Sequence, residues 1–214
     1  MRIIDLSRPI TASMQVYPGD SSPEVTECAV FEKDGYRVKR LSLSSHTSTH
    51  MDAPAHMLEE GRTLDQLPNE TFFGFGLIAD VRSCAGREIE ISDLGLTKKE
   101  LAAADFLLLR TGWDEKFGTE AYLKDYPVLS AAAAQFLAGC ELKGIGMDAV
   151  SIDHVETESY PCHKLILGAG MVIIENLRSL DLVPQKSAFC LSALPLAIEK
   201  ADGAPVRVMA VLEK

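Results

Sequence analysis

Between Tyr36 and Ser44 apolar and polar residues alternate, the period of a half-buried β-strand. Shorter apolar runs predict further extended segments at Arg2–Asp5, Leu77–Val81, Phe106–Arg110, Gly144–Met147, Met171–Ile174, Phe189–Leu194 and Val206–Leu212. Two helical signals interrupt them. Thr97 with Glu100 forms a capping box ahead of Leu101-Ala102-Ala103-Ala104. Ser130 caps an Ala-rich helix through Leu137, and Gly139 and Gly144 suit its exit. There is no internal repeat, no low-complexity stretch and no Pro/Gly/Ser-rich linker. Strands interspersed with a few helices predict one mixed α/β domain over residues 1–214.

Composition narrows the function. Of 214 residues, 47% are hydrophobic and 24% charged, which suits a globular protein with a real core. The 21 Lys and Arg face 31 Asp and Glu, a net charge of -10. That field repels phosphate backbones and anionic membrane surfaces, so neither nucleic acid nor membrane is expected as a partner. It also suits a protein that gathers divalent cations. The longest apolar stretch, Leu165 to Ile174, is about half the length needed to cross a bilayer. Met1-Arg2-Ile3-Ile4-Asp5 places an acid where a secretory signal needs an apolar run, so a soluble cytoplasmic protein is expected. The five cysteines (28, 84, 140, 162 and 190) are odd in number, widely spaced and free of CxxC pairs, as expected of buried thiols in a reducing compartment. Cys162 adjoins His163, but the sequence shows neither the base nor the lowered pKa that a nucleophilic thiol needs.

Three of the five histidines fall within Ser45-His46-Thr47-Ser48-Thr49-His50-Met51-Asp52-Ala53-Pro54-Ala55-His56. His46, His50, Asp52 and His56 all stand at even positions, so in an extended chain their side chains share a face. A helix would align His46 with His50 but turn Asp52 away, and Pro54 with the Ser/Thr-rich lead-in also disfavours one. An extended strand running into a turn therefore lets these ligands converge. Two imidazoles and a carboxylate suit Zn²⁺ or Mn²⁺ and leave a position open for water, as a catalytic site requires. His56 is either a further ligand or the group that moves protons beside the metal.

A second region holds His163, the apolar run from Leu165 to Ile174, and Glu175. By themselves His163 is ambiguous and Glu175 reads as a boundary residue closing a strand. His154 reads as a surface or structural residue. No GxSxG elbow occurs, and Gly168-Ala169-Gly170 is turn chemistry that bends the backbone between His163 and Glu175.

The pattern His46-x3-His50-x-Asp52-x-Pro54-x-His56 resembles the HxxxHxDxPxH signature of the cyclase-type metal hydrolases, which include bacterial kynurenine formamidases and isatin hydrolases. Ile4-Asp5-Leu6-Ser7-Arg8-Pro9-Ile10, Tyr17-Pro18-Gly19-Asp20, Leu109-Arg110-Thr111-Gly112-Trp113, Gly146-Met147-Asp148-Ala149-Val150-Ser151-Ile152-Asp153 and Asp202-Gly203-Ala204-Pro205-Val206-Arg207 resemble other landmarks of that family, so the likeness spans essentially the whole chain.

The resemblance implies a swivelling β/β/α fold, a homodimer or larger homo-oligomer, and two divalent metal ions, zinc foremost and manganese second. It places His46, His50 and Asp52 on the first ion, with Asp52 bridging, and His163 and Glu175 on the second. It makes His56 the proton donor and acceptor and Tyr17, where the formamidases resemble each other in having Trp, an aromatic plane for a substrate ring. The implied reaction is hydrolysis of the C–N bond of an aryl formamide such as N-formylkynurenine by metal-activated water. Opening of a cyclic amide such as isatin, a metal-dependent cyclase or lyase reaction, and a non-catalytic metal-binding module are the alternatives.

Overall fold

The computed structural model describes residues 1–185 and 187–212. Ten strands run through them: β1 (Arg2–Asp5), β2 (Glu24–Ala29), β3 (Val38–Ser42), β4 (His50–Asp52), β5 (Phe73–Asp80), β6 (Phe106–Arg110), β7 (Gly144–Met147), β8 (Val172–Glu175), β9 (Phe189–Pro195) and β10 (Gly203–Leu212). The helices are α1 (Phe31–Asp34), α2 (Lys98–Leu101), α3 (Ala131–Ala138) and α4 (Pro161–Gly168).

The fold turns on β10. Its first residues, Gly203 to Pro205, pair with β4, and Val206 to Val211 pair with β9 on the other side. From β4 the sheet continues through β8, β7, β6 and β5 to β9, so seven strands close into a barrel and β1 adds to the far half of β10. The β5–β8 run is parallel, and the remaining pairings are antiparallel.

Strand alternation divides the core. Phe106, Leu108, Val172, Ile174 and Met51 face the barrel interior with Leu191 and Val208. Leu107, Leu109, Ile145, Met147 and Ile173 face outward beneath α3 and α4. On β7 the inward positions are glycines. A Cβ on Gly144 would stand 2.6 Å from Val172, and one on Gly146 2.8 Å from Leu108, so larger residues have no room there.

α3 begins where Ser130 accepts the Ala133 N–H, and α2 carries the expected Thr97/Glu100 box but ends at Leu101. Three features differ from the sequence expectations. The β3 strand lies within Tyr36–Ser44 but is exposed throughout, because it pairs only with β2 in a ribbon off the barrel, where neither face meets a core. The apolar stretch from Leu165 is divided between the end of α4 and β8. Cys28 is exposed and only Cys84 and Cys162 are buried, although all five thiols are free. Among the described residues no helix is long and apolar enough to cross a membrane.

Candidate metal and active site

His50 and Asp52 lie two apart on β4, so their side chains share a face. Antiparallel register sets His50 directly opposite Glu175 at the end of β8. The expected extended strand running into a turn is present, but the strand itself is short, only His50–Asp52. Ser48 adopts a left-handed conformation (φ 65°), and Pro54 opens a single 3₁₀ turn that carries His56. The four residues converge nonetheless, His46 from the preceding loop and His56 from that turn. His46 and His56 ring centres are 3.9 Å apart.

The loop before β4 is braced from the N-terminal segment. Arg8 donates its backbone N–H to Thr49 Oγ1 (2.9 Å), Ser48 Oγ donates to the Arg8 carbonyl (3.1 Å), and Thr49 Oγ1 donates to the Asn176 carbonyl (2.7 Å). The Arg8 guanidinium stacks 4.0 Å over the Phe117 ring.

His163 is brought in by α4. Pro161 stands at its first position, where no N–H is needed. The Asp153 carboxylate accepts the backbone N–H groups of Cys162 (3.1 Å) and His163 (2.9 Å) and the His163 ring at Nδ1 (2.7 Å). One carboxylate thus caps the helix and sets the ring. His163 Nε2 then lies 3.3 Å from Glu175 Oε1 and 3.9 Å from Asp52 Oδ2. His50 Nε2 stands 3.3 Å from Asp52 Oδ1 and 3.5 Å from Glu175 Oε2. His46 Nδ1 is 2.8 Å from Asp52 Oδ1.

Two groups, His46/Asp52/His56 and His50/Asp52/Glu175, present donor atoms within 4.8 Å of one another. Ligand atoms sharing an ion at about 2.1 Å in a tetrahedron lie about 3.4 Å apart. The His50–Asp52, His50–Glu175 and His163–Glu175 spacings match, while the His46–Asp52 contact, at hydrogen-bond length, must open to admit an ion. The distal nitrogens strengthen the fit. His50 Nδ1 is held by the Ser48 carbonyl (2.9 Å), His163 Nδ1 by Asp153, and His46 Nε2 by Asp202 Oδ2 (2.9 Å). Each imidazole has an acceptor fixing its outer N–H, so the other nitrogen offers a lone pair inward.

The electrostatics agree. Burial pushes His46, His50 and His163 toward the neutral form, yet the adjoining carboxylates outweigh it and all three pKa values rise. Burial likewise raises Asp52 and Glu175, but the imidazoles beside them bring both below the usual carboxylate range. Protons here neutralise buried negative charge, a task a divalent cation also performs. His56 differs: burial, together with His46 and His163, lowers its pKa and keeps it a neutral base.

Tyr17 lines the same cavity of about 290 Å³, with Tyr160 and Met57 among the other wall residues. His154 is exposed, off the cavity. Cys162 donates to the Leu129 carbonyl (3.2 Å) and burial raises its pKa, so it holds no thiolate. Sequence reasoning assigned no role to Asp153 or Asp202, although both lie in segments whose family likeness was legible, and it passed over Tyr160.

The model of the putative cyclase family matches residues 4–154. The chain is 32% identical over 209 residues to a protein of Erythrobacter litoralis named kynurenine formamidase, covering 97% of this chain and 93% of that one. Among solved structures, isatin hydrolase A from Labrenzia aggregata bound to benzyl benzoate superposes with a TM-score of 0.88 at 27% identity, covering 99% of this chain and 94% of that one. A structure described as a potential metal-dependent hydrolase with cyclase activity gives a TM-score of 0.82 at 29% identity, covering 100% and 99%.

Proposed function

The chain belongs to the putative cyclase family, and on that premise we propose that it is a metal-dependent hydrolase of non-peptide amide C–N bonds, with an aryl formamide of the N-formylkynurenine type as its substrate. The observation that carries this reading is the convergence of His46, His50, Asp52, His163 and Glu175, each imidazole anchored at its outer nitrogen. His46, His50 and Asp52 would hold one ion, and His163 and Glu175, with Asp52 shared, would hold a second. Two divalent ions there, zinc foremost and manganese second, would supply the Lewis acidity for hydrolysis when bound.

The remaining steps fall to the chain's own side chains. His56, neutral and beside Asp202, takes a proton from the attacking water and returns it to the departing nitrogen. The C–N bond breaks as a C–O bond forms, giving formate and an aryl amine. Tyr17 offers its ring face to the aryl group. Zinc- or manganese-loaded protein tested on formanilide, with formate and aniline quantified, checks this reading, and absence of both products with either metal overturns it. The likeness to isatin hydrolase A favours one second reading, opening of a cyclic amide; isatin run beside formanilide separates the two.

We place the enzyme in the cytoplasm, where five free thiols stay reduced, and assign it a homodimer or larger homo-oligomer. The β2–β3 ribbon supports the assembly, since a lone two-stranded ribbon is marginal in water and this one exposes Phe31, Tyr36, Val38 and Leu41. Light scattering on the eluting protein tests it, and a monomer's mass at working concentration rejects it.

A further inference from the structure

The cavity has a buried floor and an exposed rim. His50, His163 and Glu175 are buried, Tyr17, Tyr160 and Met57 are half-buried, and Asp20 at the mouth is exposed. Between floor and rim, Val16, Val150 and Met57 line the wall with the two tyrosines, beside uncharged polar side chains such as Gln15 and Ser151. Tyr17 donates to the Val155 carbonyl (3.4 Å). Tyr160 is held in a left-handed backbone conformation (φ 45°, ψ 57°), its ring edge-on to His163 with centres 6.0 Å apart. A residue other than glycine keeps such a conformation only where its surroundings impose it. The cavity walled in part by these two held phenols is a slot with room for a flat ring.

Charge along this slot is one-sided. Apart from the histidines, Glu175 and Asp20, no charged side chain lines the cavity among the described residues, and no Lys or Arg does. Asp20 is not free to swing with a loose loop. Tyr17-Pro18-Gly19-Asp20 closes as a turn, with the Asp20 N–H donating to the Tyr17 carbonyl (3.0 Å) and Gly19 at φ 98°, as a type II turn with Pro second and Gly third requires. The residue that offers its ring to the substrate and the residue that offers a negative charge are thus the two ends of one turn. The whole protein's charge of -10 has the same sign.

We propose that this slot selects flat aryl amides whose tail is neutral or bears an ammonium group, that Asp20 is the residue that sets this choice, and that aryl amides with a carboxylate tail alone are disfavoured. The inference rests on the amide-hydrolase reading and narrows its substrate class. With the carbonyl at the floor, a para substituent points to the rim, where Asp20 is the charged side chain of the wall. An ammonium gains an ion-pair partner there, and a carboxylate meets a like charge with no Lys or Arg on the wall to offset it.

The test uses the full-length, zinc-loaded protein and three formanilides with para-aminomethyl, para-hydroxymethyl or para-carboxylate groups, together with the three corresponding anilines as non-reacting ligands. The expected order of kcat/KM and of aniline binding by calorimetry is aminomethyl, then hydroxymethyl, then carboxylate, with about fivefold between the extremes, the scale of one exposed ion pair. In Asp20→Asn the ratio of aminomethyl to carboxylate falls toward one. Turnover of none of the formanilides removes the hydrolase reading, while the aniline binding order still decides the inference. A preference for the carboxylate compounds, no binding of any aniline, or a ratio unchanged in Asp20→Asn overturns it.

Discussion

His46 and Asp202, separated by 156 positions in the chain, meet with Nε2 and Oδ2 2.9 Å apart. The same carboxylate oxygen lies 3.4 Å from His56 Nδ1. A proposed metal ligand and the proposed proton carrier are therefore tethered to a single acceptor, contributed by the residue just before the closing strand.

This makes Asp202 a positioning residue with two separable effects. In Asp202→Ala, metal affinity should fall about 10- to 100-fold, the usual cost of removing an acceptor behind a metal-binding imidazole. At saturating metal kcat should still be depressed while KM is nearly unchanged, because His56 has lost its anchor. Chelator competition measures the first effect and steady-state kinetics the second. Wild-type values for both would show that the contact is incidental.

Substitutions at the histidines should divide into two kinds. His56→Ala should keep its metal and lose about 10²- to 10⁴-fold in kcat, the range for one positioned acid–base group. His50→Ala and His163→Ala should lose metal as well as turnover. Elemental analysis of purified variants beside their rates decides the matter. Metal loss in His56→Ala that leaves rate intact on reloading would move His56 into the ligand set, which its proximity to His46 and Asp52 makes a concrete alternative.

Removing metal should also soften the fold. A ligand present at about 100 times its dissociation constant stabilises the native state by about 2.7 kcal/mol. For a chain of 214 residues this is a drop in Tm of roughly 5–10 °C on chelation, recovered on adding zinc. Differential scanning calorimetry with and without chelator reads it directly; superimposable traces would count against a tightly held ion.

Asp148 gives a pH signature outside the site. Burial raises its pKa to about 6, against the pull of the Thr111 and Gly112 backbone N–H groups at 2.7 and 2.9 Å. The folded carboxyl then holds its proton more tightly than the unfolded one, whose pKa is the ordinary 3.8. Between about pH 4 and pH 6 the native state binds the extra proton, so this group's contribution to stability declines as pH rises through that window and is level above it. The decline is at most about 3 kcal/mol, and Asp148→Asn should lack it. Urea melts across the window, wild type against variant, give the difference; parallel curves would refute the assignment.

How much of this was legible in the chain depended on distance along it. His46, His50, Asp52 and His56 announce themselves because four donors crowd one short segment, and β6 and β7 were legible because their apolar runs are buried on both faces. Asp153 and Asp202 acquire meaning only when folding sets them against His163 and His46, so no local spacing marks them. β2 has one buried residue, Ala29, and hence no burial period to read. α4 was hidden because its apolar end passes through Gly168-Ala169-Gly170 into β8 with little change in hydropathy.

Asp52 pairs with Gly203 across the line where β10 meets β4, and a Cβ on Gly203 would stand 2.5 Å from the His46 ring. The reactive centre therefore sits astride the seam of the cylinder. Parting the short β4–β10 contact at Gly203 to Pro205 withdraws Asp202 and uncovers His46 while the rest of β10 stays paired with β9. Under gentle denaturation, turnover should vanish while most of the secondary structure persists, which makes catalysis itself a gauge of whether the ring is shut.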